Sequence, residues 1–295
     1  MKKTIITLIL PIFIGTIRAE DIVDVYLLIG QSNMEGVGRR SKLEKEYKEI
    51  DKVQIFHSKS IGDGDSANKW VPLKPAGWKG TSTGGFGLEI SFGKSLHQNA
   101  PNRNFGLIKH AVGGTSLFAD WVPGSSPHDT SSWGPQYATF QNTTTKALEA
   151  LKRKGKTPII RGILWQQGEA DSKKQENAEA YEQRLTQFID ITRETFAEYS
   201  SNKQADSIRF ILGQVIPDYT RGSAAHKAYP FRNDVRNAQL TVSQKLKNVR
   251  TIKTNKSFET HADEKDGYRD GDNIHFNADG LLKLGEEMAK AALNQ

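Results

Sequence analysis

The stretch Leu27-Leu28-Ile29-Gly30-Gln31-Ser32-Asn33-Met34 decides the reading of this chain: an apolar run ends there in a glycine, then in a serine between two amides. Residues 22–29 are short, largely apolar and closed by turn residues, the pattern of a strand buried inside a sheet. Similar runs recur at residues 53–57, 105–110, 158–165 and 208–216, making five strands, with residues 249–253 a candidate sixth. Amphipathic segments lie between them. Tyr181, Leu185, Phe188, Thr192 and Phe196 return every three or four positions, one face of a helix. Leu281, Leu284, Met288 and Ala292 do the same behind Asn277 as N-cap. Strands alternating with helices imply an α/β fold, a mainly parallel sheet with helices on both faces. Functional groups in such sheets gather beyond the carboxyl ends of the strands. Ser32, Gly113 and Gln167 each follow an expected strand at that edge.

The 295 residues suffice for one large domain with a substantial core, and residues 20–295 are read as that domain. Residues 1–19 have the layout of an export signal: Lys2 and Lys3, an apolar run over residues 5–14, then Ala19 before acidic Glu20. The run is too short to span a bilayer comfortably, so cleavage and a secreted or periplasmic mature protein are expected, with no membrane attachment afterwards. Absence of cysteine excludes disulfide staples, thiol catalysis and cysteine-ligated metal. The net charge is +7; without Lys2, Lys3 and Arg18, 38 basic residues face 34 acidic ones, leaving +4. That excess is spread along the chain. Nucleic-acid partners need a concentrated basic stripe, so none is expected.

Two long segments, residues 58–86 and 116–136, are rich in Gly, Pro and Ser and carry Trp70, Trp78, Trp121 and Trp133. Long loops without secondary structure are usually functional. Exposed tryptophans there would stack on sugar rings; the alternative is that they pin the loops to the core.

A serine after a strand is most often a helix cap. Ser32 differs in its company: Gly30 permits a tight turn, Gln31 and Asn33 set amides beside the hydroxyl, and a matching base exists elsewhere. The segment is not G-x-S-x-G, because Met34 replaces the second glycine. Gly80-Thr81-Ser82-Thr83-Gly84 does match, yet no strand precedes it and no helix follows, so Ser82 is read as a loop residue. The base is His275, in Asp272-Asn273-Ile274-His275, where a carboxylate in a tight turn can orient the imidazole. Asp266 and Asp270 lie close by and leave the identity of the third member open. The same acidic run lacks the spacing and closing glutamate of a calcium loop, so no metal is expected. Nucleophilic acyl transfer also needs donors for a developing oxyanion. The Ser32 N–H, the turn in Ala111-Val112-Gly113-Gly114-Thr115-Ser116, and the Gln167 amide in Trp165-Gln166-Gln167-Gly168-Glu169-Ala170-Asp171 would supply them.

The set GQSNM, AVGGTS, WQQGEAD and DNIH, in this order across residues 27–276, resembles the SGNH (GDSL-like) hydrolase superfamily. Within it the match is to the carbohydrate acetylesterase branch, which groups acetylxylan esterases of carbohydrate esterase family six with sialate O-acetylesterases. The resemblance implies a flavodoxin-like three-layer α/β/α fold around a five-stranded sheet, and hydrolysis of sugar acetyl esters without metal or cofactor. It assigns Ser32 as nucleophile, His275 as base and Asp272 as its orienter. Ser32, Gly113, Gly114 and Gln167 form the oxyanion hole in that assignment, with Gln31, Asn33, Glu169 and Asp171 as supporting motif residues. Gln167 stands where the wider superfamily has asparagine. The chain has no room for the β-rich insertion of the larger sialate esterases, which tilts the expected substrate towards acetylated xylan. A lipase or lysophospholipase of the same superfamily would need a large apolar groove, which these loops do not suggest. A non-catalytic carbohydrate-binding protein would be marked by loss of the nucleophile or base, and both are present.

Overall fold

The computed structural model describes residues 18–47, 50–60, 66–75, 77, 84–217, 224–264, 269 and 271–293. Residues 1–17 of the expected export signal, Trp78, Ser82, Asp266 and Asp270 lie outside the described residues. The strands are β1 (Ile22–Gly30), β2 (Gly38–Arg39), β3 (Ile50–His57), β4 (Trp70–Leu73), β5 (Gly85–Phe86), β6 (Asn104–Ala111), β7 (Thr157–Gln166), β8 (Arg209–Gly213) and β9 (Val249–Ile252). The helices are α1 (Ser32–Glu35), α2 (Glu89–Asn99), α3 (Pro135–Arg153), α4 (Gln175–Glu179), α5 (Tyr181–Thr195), α6 (Ala224–Ala228), α7 (Arg232–Lys245), α8 (His261–Glu264) and α9 (Ala278–Leu293).

Seven strands form one sheet in the order β4-β3-β6-β1-β7-β8-β9, while β2 and β5 pair as a separate antiparallel ribbon. The expectation of five strands is therefore corrected to seven, parallel except for β4. Both additions lie at the edges. β4 falls in a segment read as irregular, because it has only four residues and contains Pro72, which a sheet tolerates at an edge. β9 is the candidate sixth strand, four residues long and partly exposed.

Alternation along β1 explains the three layers, since successive side chains point to opposite faces. Val23, Val25, Leu27 and Ile29 join one buried cluster with Phe140 and Leu148 of α3, Phe188 of α5 and Val235 of α7. Tyr26 and Leu28 join the other, with Phe92 of α2 and Leu284 and Met288 of α9. The expected helix faces match: Tyr181, Leu185, Phe188 and Thr192 are buried on α5. Asn277 caps α9, its Oδ1 accepting the Gly280 N–H at 2.9 Å.

The register places the site. Gly30 at the end of β1 is level with Ala111 of β6 and with Gln166 of β7. After β1 the chain builds β3, β4 and β6 on one side and then crosses to β7, β8 and β9 on the other. The carboxyl ends of the three central strands thus meet where the direction of winding reverses, the position at which open α/β sheets bind ligands. Gly30 has φ +149°, and a Cβ there would lie 2.2 Å from the Gln166 carbonyl oxygen. Only glycine lets β1 turn this close to β7.

The three described tryptophans of the two long loop segments pack on the core. Trp121 is fully buried and its ring meets Trp165 edge-on at 5.3 Å, while its Nε1 donates to Thr115 Oγ1 at 2.9 Å. Trp70 donates to the Ala147 carbonyl at 3.0 Å, and Trp133 packs half-buried on the same cluster.

His110, at the end of β6, is a buried titratable group beside this edge. Its ring bridges Ser58 Oγ at 2.7 Å and Gln136 Oε1 at 3.0 Å. An amide oxygen only accepts, so Nε2 carries the proton and Nδ1 accepts from Ser58. Burial pushes this imidazole down to about 4 from an ordinary value of 6.5, the Gln136 contact opposing it only in part. The unfolded chain therefore binds more protons between those two values. Stability is complete above the upper value and falls as the pH drops towards the lower one. His110→Gln is expected to remove on the order of 3 kcal/mol of that acid-side loss, read as a flatter dependence of urea-unfolding free energy on pH.

Candidate active site

Ser32 opens α1, the single turn that follows β1, so its hydroxyl stands just beyond the sheet edge. His275 lies in the loop ahead of α9, and its Nε2 is 2.9 Å from Ser32 Oγ. His275 Nδ1 is 2.8 Å from Asp272 Oδ2, while Asp272 Oδ1 accepts the backbone N–H groups of Ile274 and His275, each at 3.1 Å. Burial raises the Asp272 carboxyl, but the His275 imidazole and those N–H groups outweigh it and lower the group to about 2. A carboxylate held ionised can only accept. Nδ1 therefore carries the imidazole proton and Nε2 is left to accept from the Ser32 hydroxyl. Residues 243 positions apart thus form one hydrogen-bonded chain.

Asn33 holds the two ends of the polypeptide together. Its Nδ2 donates to Glu169 Oε1 at 2.8 Å and to the Ile274 carbonyl at 3.0 Å, and its Oδ1 accepts the Phe276 N–H at 3.0 Å. The loop carrying His275 is thereby fastened directly to the turn carrying Ser32. Glu169 is fully buried, which raises its carboxyl above the ordinary range. Asp171 braces a different part of the edge. Its Oδ2 accepts from Gln167 Nε2 at 2.6 Å and from the Leu117 N–H at 2.9 Å, and its Oδ1 accepts the Phe118 N–H at 3.0 Å. It fixes both Gln167 and the loop that follows Gly113-Gly114.

The remaining expected residues separate into two groups. Gln31, Ser32, Gly113, Gly114 and His275 line one cleft of about 330 Å³. Gln167 does not line it: the side chain is fully buried, Nε2 donates to the Thr115 carbonyl at 3.0 Å as well as to Asp171, and Oε1 accepts from Tyr181 at 3.0 Å. The expectation of a cleft-facing Gln167 amide is corrected on this point, since a primary amide has two N–H donors and both are engaged. The Gly113 N–H is also engaged, by Glu35 Oε2 at 2.8 Å. Gly114, at φ +77°, has open space where a Cβ would stand and leaves the turn exposed to the cleft.

Five further residues line the same cleft: Glu35, Val37, Tyr229, Arg269 and Ile274. Glu35 was legible in principle, because it lies three positions after Ser32 on the same helical turn. Its Oε1 accepts from Lys59 at 2.7 Å, and its backbone carbonyl from Lys109 at 3.1 Å. Lys109 in turn forms a buried ion pair with Glu89 at 2.6 Å. Arg269 lies 3.4 Å from Asp272 Oδ2, inside a run of acids that drew attention only to its carboxylates.

A mainly parallel sheet between two helical layers, with a serine, a histidine and an aspartate joined at its switch point, defines a carboxylic ester hydrolase of the SGNH carbohydrate-esterase kind. Residues 22–294 match the family of carbohydrate esterases described as sialic acid-specific acetylesterase, and the chain belongs to that family. Among solved structures, a protein from Arabidopsis thaliana is similar at 19% identity and TM-score 0.65, covering 92% of this chain and 97% of that one. NanS is similar at 16% identity and TM-score 0.67, with the same coverage of 92% and 97%. A carbohydrate acetylesterase from Xanthomonas citri is similar at 17% identity and TM-score 0.58, over 91% of this chain and 55% of that one. At these identities the likeness is one of fold. A search of curated protein sequences gives no match.

Proposed function

We propose that this protein removes O-acetyl groups from carbohydrates through an acetyl-enzyme on Ser32. One observation carries the reading: the continuous chain from Ser32 Oγ to His275 Nε2 at 2.9 Å and from His275 Nδ1 to Asp272 Oδ2 at 2.8 Å, open to a cleft. His275 takes the Ser32 proton as Oγ attacks the acetyl carbonyl, and the Asp272 carboxylate stabilises the imidazolium that forms. The Ser32 N–H and the turn at Gly113-Gly114, where Gly114 stays exposed while the Gly113 N–H is held by Glu35, are read as the donors to the oxygen on which charge develops. Collapse of the tetrahedral adduct breaks the bond to the sugar oxygen, which leaves with the proton from His275. Water, deprotonated by the same imidazole, then releases acetate and restores Ser32.

Membership of the family makes O-acetylated sialic acid the first substrate to assay, with acetylated xylan the second. The proposal includes a single catalytic domain over residues 20–295 that is secreted or periplasmic after loss of residues 1–19. Among the described residues, no helix is long and apolar enough to cross a membrane.

The acyl group is read as small. On p-nitrophenyl esters, kcat/KM is expected to fall at least tenfold from acetate to octanoate, a difference of about 1.4 kcal/mol in transition-state binding. Equal values for the two esters would instead favour the lipase reading. Acetate release from acetylated sialic acid and acetylated xylan, assayed side by side, separates the two sugars.

A further inference from the structure

A second pocket, of about 180 Å³, opens at the amino-terminal end of the sheet and shares no lining residue with the catalytic cleft. Arg103, Arg161, Arg209 and Tyr26 line it, and among the described residues no carboxylate does. Four neighbouring strands deliver these side chains. Tyr26 lies on β1, Arg103 stands just ahead of β6, and Arg209 opens β8. Arg161 reaches the same face through a bulge in β7, where the pairing with β1 shifts between Val25 and Tyr26. Ile160 and Ile163 both pack in the cluster on the opposite face, an odd spacing that turns Arg161 to the side of Tyr26.

The guanidinium groups are incompletely spent. One oxygen of Asp24 accepts from Arg103 Nε at 2.6 Å and the other from Arg161 Nε. Neither arginine makes the two-pronged contact that would occupy a terminal nitrogen as well. Those terminal nitrogens have no hydrogen-bond partner among the described residues. Arg209 holds the end of α9, its Nη1 donating to the Ala291 carbonyl at 3.0 Å and to that of Ala292, and its Nη2 is left over. Three cationic groups thus face one carboxylate and one helix C-terminus. Tyr26 is 2% exposed, yet its hydroxyl bonds to no described residue and is not sealed in the core. Burial pushes this phenol up to about 12, so it keeps a proton to donate.

We infer that this pocket binds a phosphate dianion, as the free ion or as the phosphomonoester group of a larger molecule, held by Arg103, Arg161, Arg209 and the Tyr26 hydroxyl. The donors converge from several directions. That arrangement suits a tetrahedral anion with oxygens on every side, whereas a single guanidinium fork satisfies a flat carboxylate. Asp24 has a place in the same design: it spaces Arg103 and Arg161 through their Nε atoms and leaves their outer N–H groups to the ligand. The site stands apart from hydrolysis at Ser32 and does not depend on it.

Isothermal titration calorimetry with inorganic phosphate, glycerol 3-phosphate and acetate, at matched ionic strength, tests this on the wild type, Tyr26→Phe and Arg161→Gln. The Tm in phosphate-free buffer reports folding. Wild type is expected to bind phosphate with a Kd below about 1 mM at low salt, and acetate about tenfold more weakly or worse. Tyr26→Phe removes only a hydroxyl without a protein partner, so its Tm should match wild type. Its phosphate affinity should fall roughly tenfold, the loss of one hydrogen bond to a charged group. Arg161→Gln should lose at least as much. Tighter binding of glycerol 3-phosphate than of inorganic phosphate identifies the phosphomonoester as the occupant, and the reverse identifies the free ion. No phosphate binding by the wild type, acetate bound as tightly as phosphate, or unchanged phosphate affinity in Tyr26→Phe would each overturn the inference and leave the arginines as struts for Asp24 and α9. Should Arg161→Gln not fold, Tyr26→Phe decides alone.

Discussion

His275→Ala is expected to lower kcat for an acetyl ester by about 10⁴-fold or more while leaving the Tm nearly unchanged. The imidazole is one-fifth exposed and its polar contacts are confined to its own loop and to Ser32, so removing it breaks no core packing. Without Nε2 as acceptor the Ser32 hydroxyl keeps its proton, and attack on the carbonyl carbon develops a charged oxonium instead of a neutral ester. Ser32→Ala should reach a similarly low rate. The double variant should be no slower than either single one, because nucleophile and base act as a unit and their losses do not add. Steady-state kinetics on the three variants check this. A double variant markedly slower than both singles would mean that two separate routes run through the two residues.

Asn33→Ala carries the second large effect, and it combines stability with rate. The substitution leaves the Glu169 Oε1 and the Phe276 N–H without their partners in buried surroundings, and the Ile274 carbonyl loses a donor. Each buried polar group so stranded costs about 1–3 kcal/mol, so a loss of roughly 3 kcal/mol or more is expected in urea unfolding. The Glu169 carboxyl, already raised by burial, would rise further on losing the amide that stabilises its charged form. The loop bearing His275 is also released from the turn bearing Ser32. A shift of about 1 Å in that pair is enough to lower kcat about 10²-fold. Wild-type stability in Asn33→Ala would show that the amide is not what joins the two ends.

Much of the fold was legible because buried strands and helices impose their periods on the residues. The run before Gly30, the α5 face from Tyr181 to Thr192 and the Asn277 cap all have direct sequence signals. β4 had none, since four residues with a proline at an edge share no apolar pattern with a central strand. The tryptophans were ambiguous for a related reason: a loop residue that packs inwards and one that faces solvent have the same sequence context. Trp121 resolved as core. At the site, local spacing and residue type singled out Ser32 and His275, which lie 2.9 Å apart, but left Asp266 and Asp270 open beside Asp272, whose Oδ2 is 2.8 Å from the imidazole. The orientation of an amide was not legible. Gln31 and Gln167 both follow strands at the same edge, and which one faces the cleft depends on Asp171, Thr115, Gly168 and Ala170, partners fixed only when β1 and β7 lie side by side. Arg269 and Tyr229 reach the cleft from segments without periodic pattern, where sequence carries little positional information.

Labelling with a serine-directed fluorophosphonate tests the central claim most directly. Peptide mass spectrometry is expected to find one equivalent of phosphonate on Ser32, with esterase activity falling in step with its incorporation. Activity that survives full occupancy of Ser32, or that is lost while the label resides on another residue, would contradict the account.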